Sequence, residues 1–219
     1  MKTVTRSATF ALAIVLAGCA AAPSRLATPA APAYIPPVTA PATLNASAAL
    51  AAAAATVTNP RVGGAAMLGT RTIADNCAAA PNLRTLSRAI ASAETRSTLA
   101  APGPITVFAP TDQAFDRLAV GAVDQLLALT NRPTLQRLVA YHVVPGAITL
   151  DQLRARVAAS GGAARLTTVE GDPLTVTRDG EAVVLTDVNG NKSFVETPDV
   201  QQTNGIVHVV NGVLVPRLG

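Results

Sequence analysis

Asn204-Gly205-Ile206-Val207-His208-Val209-Val210-Asn211-Gly212-Val213-Leu214-Val215-Pro216 is a β-branched run bracketed by two Asn-Gly steps. Asn-Gly suits a tight turn, and Val and Ile favour strands. The run predicts a strand over Ile206–Val210 and, after the second turn, another at Val213-Leu214-Val215. On the first of these, Ile206, His208 and Val210 share one face. Among branched neighbours, His208 is expected half-buried, with its ring bonded to a backbone group.

The period of two extends back to Gly161-Gly162. Leu174–Thr177 and Ala182–Leu185 flank Asp179-Gly180, a hairpin signal. Asn189-Gly190 separates Val184–Val188 from Ser193–Val195 and predicts a second hairpin. Ahead of Gly161 the apolar period is 3.6 instead. Leu83, Leu86 and Ile90 mark one helix. Thr111 is a good N-cap for a helix carrying Phe115, Leu118 and Ala119 on one face. Val123, Leu126, Leu127 and Leu129 mark a short helix. Pro133 opens another, with Leu135, Leu138 and Val139 inward, that runs to Tyr141. Thr149 caps a last one with Leu150, Leu153 and Val157. Ile105–Phe108, between Pro104 and Pro110, reads as a buried strand. Helices first and strands second predict an α+β fold.

The chain has 219 residues and a formal net charge of +4, unevenly placed. No Asp or Glu precedes Asp75, whereas residues 75–219 carry 12 basic and 13 acidic side chains. A nucleic-acid-binding domain would show a basic face, and this one does not. Lys2 and Arg6 precede an apolar run, Ala8 through Leu16, too short to span a bilayer as a helix. Leu16-Ala17-Gly18-Cys19 resembles the lipobox of bacterial lipoproteins, which implies a signal peptide over 1–18 and a lipid on Cys19; an ordinary cleaved signal is the alternative. Ala20, where Asp would retain such a protein at the inner membrane, implies the outer membrane. Residues 19–66 are rich in Ala and Pro and read as a tether. Residues 67–219 contain every periodic segment and are expected to fold alone.

The reactive side chains are sparse. His142 and His208 are the two histidines, and neither has a second ligand at metal spacing. Cys77 is the one cysteine besides Cys19, so an intrachain zinc pair or disulfide within the domain is not expected. There is no Gly-x-Ser-x-Gly elbow and no phosphate-binding Walker loop. Asp112 and Asp116, one turn apart, read as a solvated helix start. No metal and no cofactor are expected.

Three segments together resemble the fasciclin-type domain family. Thr106-Val107-Phe108-Ala109-Pro110-Thr111-Asp112-Gln113-Ala114-Phe115 is similar to its first signature box. Leu138-Val139-Ala140-Tyr141-His142-Val143-Val144-Pro145-Gly146 is similar to its central Tyr-His segment, and residues 204–216 to its second box. Phe108, Thr111, Asp112, Phe115, Asn204, Gly205 and His208 are the signature positions. Asp112 stands where Asn is common, and both can bond the following backbone. The resemblance implies a β-wedge or sandwich of about seven strands with a cluster of short helices. It also implies adhesion without catalysis, and implicates Tyr141 and His142 in partner contact. The residues alone favour a core role, because a Tyr among branched aliphatics at a helix end is normally buried with its hydroxyl bonded.

The function expected from these readings is a lipid-anchored module of the cell envelope, at the outer membrane or in the periplasm. It would bind a protein or polysaccharide partner, with no nucleic acid involved. A carrier or sensor of a small apolar ligand is the alternative. A pocket of several hundred cubic ångströms would favour the carrier.

Overall fold

The structure is a computed structural model that describes residues 58–217. Cys19, the lipobox and most of the expected tether lie outside the described residues. The elements in chain order are α1 (Ile73–Ala79), α2 (Arg84–Ser92), α3 (Arg96–Ala100), β1 (Ile105–Pro110), α4 (Asp112–Asp116) and α5 (Ala122–Leu127). A single 3-10 turn, Leu129–Asn131, leads into α6 (Arg132–Tyr141), followed by β2 (Val143–Pro145) and α7 (Leu150–Ala159). Five strands complete the chain: β3 (Ala163–Thr167), β4 (Pro173–Asp179), β5 (Ala182–Thr186), β6 (Lys192–Gln202) and β7 (Gly205–Val210).

The seven strands form one sheet in the order β2-β1-β7-β6-β5-β4-β3. Only β1 and β7 pair in parallel, from Ile105↔Gly205 to Pro110↔Val210. The sheet curls until its edges meet, and Val169, just past β3, donates its N–H to Val143 O of β2 at 2.8 Å. The long strand β6 makes this possible. Its first residues pair with β5 and its last with β7, with register shifts between Val195 and Val200. Pro198 cannot donate to a ladder and sits inside that irregular stretch, where bulges bend a strand. The α+β wedge of seven strands with clustered short helices is thus the observed architecture.

Alternation along the central strands splits the core in two. Val107 and Ala109 of β1, with Val207 and Val209 of β7, join the helix-side cluster with Leu86, Leu135 and Phe115. Phe108 and Val210 face the other way, into a cluster with Tyr141, Leu153, Leu174 and Leu185. All six residues of β7 are buried, so the unbroken apolar run records a strand covered on both faces.

The sequence-based elements recur with three differences. Val213-Leu214-Val215 is not a strand: Val213 and Leu214 are buried but belong to no ladder. Helices α1 and α3 and strand β3 carry too little periodicity to be read from the sequence. The packed region also begins ahead of Met67: Val62 is 1% exposed. There Asn59 donates to Gln201 O at 2.7 Å and accepts from Gln201 N at 2.8 Å. An Asn-Pro step in an Ala/Pro-rich stretch reads as linker until its distant partner is known.

Candidate functional site

Helix α6 ends at Tyr141, and the chain passes through His142 directly into β2. Such a junction buries the last carbonyls of a helix, which need donors. His142 supplies one. Its Nδ1 lies 2.8 Å from Leu138 O, and its Nε2 accepts from Leu214 N at 3.1 Å. A ring nitrogen that accepts an N–H carries no proton, so His142 is neutral with its proton on Nδ1. Burial pulls its pKa down to about 4, against the small opposing pull of the Leu138 bond and Asp187. Because the ring stays neutral, it complements the helix end by hydrogen bonding and not by charge.

Tyr141 is 0% exposed. Its hydroxyl donates to Pro173 O at 2.9 Å and accepts from Val188 N at 3.2 Å. The phenol therefore joins the start of β4 to the loop after β5. Burial, with Asp187, Asp172 and Glu170 nearby, pushes its pKa up to about 12. The resemblance implied that Tyr141 and His142 contact a partner. In this fold neither side chain reaches the surface, because both are consumed by bonds between segments far apart in sequence.

His208 repeats the device with the opposite tautomer. Its Nδ1 accepts from Asp199 N at 3.2 Å, and its Nε2 lies 2.8 Å from Ile148 O, so the proton is on Nε2. Its ring stacks on Phe108 with centroids 5.6 Å apart. It is fully buried, not half-buried, because α7 and its leading loop cover this face of the sheet. Desolvation lowers its pKa, with the Ile148 bond and Asp199 acting in opposition.

The other signature positions are structural too. Thr111 caps α4, its Oγ1 accepting from Ala114 N at 3.3 Å. Asp112 does more than start that helix. Its Oδ1 accepts from Thr85 N at 2.7 Å, capping α2, whose own N-cap residue Leu83 offers no side-chain bond. Asn204 accepts from Ile73 N at 3.0 Å and donates to Leu99 O at 2.7 Å, fastening the start of α1 and the end of α3 to the sheet. A Cβ on Gly205 would run into Ile105 O of the parallel neighbour, so the close strand approach requires Gly. Phe108 and Phe115 fill the two core clusters, one each.

Several buried polar groups escaped the sequence reading, Thr106 and Asp187 among them. Thr106 donates to Gly146 O at 2.6 Å and accepts from Ile148 N at 2.8 Å. Asp187 accepts from Asn189 N, Asn191 N and Val215 N. Asp187 could have been suspected from its place two residues before Asn189-Gly190, as acids favour such turns. Thr106 carries no local signal. Cys77 is a buried thiol whose pKa burial raises to about 12. Among the described residues no three His, Cys, Asp or Glu side chains gather as a metal site, and no helix is long and apolar enough to cross a membrane.

Comparison with known proteins gives four findings. A family model described as the Fasciclin domain matches residues 81–216. Protein sll1483 of Synechocystis sp. is 36% identical over 148 residues, which cover 67% of this chain and 74% of that protein. Transforming growth factor-beta-induced protein ig-h3 of Sus scrofa is 36% identical over 131 residues, covering 60% of this chain and 17% of its own. A solved domain pair from the insect cell adhesion molecule Fasciclin I superposes with a TM-score of 0.60 at 20% identity. That superposition covers 69% of this chain and 52% of the other, and it is a likeness of fold.

Proposed function

The chain belongs to the fasciclin domain family, and on that premise we propose that it is a non-catalytic adhesion module of the cell envelope. It binds a protein or polysaccharide partner and is held to a membrane by a lipid on Cys19. One observation carries the reading. The polar groups of the three motifs that could do chemistry, Tyr141, His142 and His208, are buried and spent on backbone hydrogen bonds. What remains to meet a partner is the outer surface. The fold likeness to a cell adhesion molecule supports the same direction, and the lipobox-like Leu16-Ala17-Gly18-Cys19 supports the anchor.

The test is genetic and physical together. In cells making the full chain, it is expected to fractionate with membranes and to raise surface attachment above that of a deletion strain. Cys19→Ser should release the chain to the soluble fraction. Deletion without any change in attachment would overturn the adhesion reading. An unchanged membrane fraction for Cys19→Ser would overturn the anchor.

A further inference from the structure

A cleft of about 320 Å³ lies between α5, α6 and the segment 213–215. Leu118, Leu126, Leu138, Val213 and Val215 form its apolar walls. Its polar lining is Gln125, Asn131 and Thr134, and no ionisable side chain lines it. An ion placed there would lose water with no counter-charge to replace it. The volume sits at the small end of the range for small-molecule sites, roughly 300–1,000 Å³.

The two sides of the cleft are built differently. One is pinned by buried bonds: His142 links Leu138 O to Leu214 N, and Asp187 accepts from Val215 N at 3.0 Å. The walls carrying Leu138, Val213 and Val215 are therefore set before any ligand arrives. The other side is α5, six residues long, with no buried residue and no side-chain N-cap at Gly121. Val120 and Leu129, at its two ends, are 106% and 74% exposed. Val123, Leu126 and Leu127 pack against the helix-side core but stay only half-buried, so α5 opens at lower cost than the fully buried elements beside it.

We propose that this cleft is a binding site for a small, uncharged, largely apolar molecule, admitted by displacement of α5. The proposal stands or falls apart from the adhesion reading, although the His142 bonds bear on both.

The probe is N-phenyl-1-naphthylamine, an uncharged apolar fluorophore, titrated into the full chain. Saturable enhancement at one probe per chain is expected, with nuclear Overhauser contacts from the probe to Leu138 and Val213 methyls. Ala122→Trp and Thr134→Trp fill the cleft from half-buried positions and should each weaken binding at least tenfold while melting is unchanged. Val120→Ser with Leu129→Ser removes exposed apolar surface but leaves the cleft, and should hold affinity within about threefold. Absence of saturable binding would overturn the proposal. So would loss in the Ser pair with retention in the Trp variants, which would mark an open apolar surface suited to a protein partner instead.

Discussion

Tyr141 ties the start of β4 to the loop after β5 with one oxygen, and the two halves of its side chain can be separated by substitution. Tyr141→Phe keeps the packing and strands Val188 N–H and Pro173 O, which should cost about 1–2 kcal/mol. Tyr141→Ala also empties a fully buried site and should cost about 3–5 kcal/mol. Chemical denaturation of both variants measures the difference; a Tyr141→Phe loss near zero would mean that the hydroxyl bonds contribute nothing, and equal losses that the ring packing adds nothing to them. The core role of this residue was legible, because an aromatic at the end of an amphipathic helix has few other places to go. Its partners were not, since Pro173 and Val188 lie 32 and 47 residues away. His208 shows the same limit. Alternation placed it on the correct face, but a strand's own sequence does not say how completely a second layer covers that face.

At the scale of elements, start and stop signals held where they were local. Thr149 and Gln152 form a reciprocal capping box at α7, and Thr111 caps α4. Signals that come from elsewhere were missed. Helix α2 has no cap of its own and borrows Asp112, 27 residues on. Asp112→Ala is therefore expected to lower stability by about 1 kcal/mol, with the loss of amide protection concentrated in the first turn of α2 rather than in α4. Asp112→Asn keeps the acceptor and should be nearly neutral. Protection lost from α4 alone would contradict the borrowed cap. Val213-Leu214-Val215 failed as a strand for a related reason. Its run of apolar side chains marks burial at Val213 and Leu214, but the N–H groups of Leu214 and Val215 are taken by His142 and Asp187 in place of a neighbouring strand.

Over the whole molecule, the two neutral histidines tie stability to pH. The folded pKa of His142, about 4, lies below the usual 6.5, so the unfolded chain takes up the proton first. Its contribution is full above about pH 6.5 and is lost as pH falls from there toward 4. The integrated loss is on the order of 3 kcal/mol, and His208 is shifted in the same direction. Melting temperature should fall steadily from pH 7 to pH 4, and a flat profile would contradict buried neutral rings. Cys77, with its thiol held protonated inside α1, should resist iodoacetamide in the native chain and react fully in denaturant. Rapid native alkylation would place it at the surface.

The role of the Tyr-His and second-box histidines as internal bridges is most directly tested by nitrogen-15 NMR of the two imidazoles in the folded chain. Two neutral rings of opposite tautomer are expected, with the proton on Nδ1 of His142 and on Nε2 of His208. Neither should titrate near pH 6.5, and His142 should have its midpoint near 4. A ring that exchanges tautomers and titrates near 6.5 would be facing solvent. His142 would then be free to meet a partner, contrary to the bridge seen between Leu138 and Leu214.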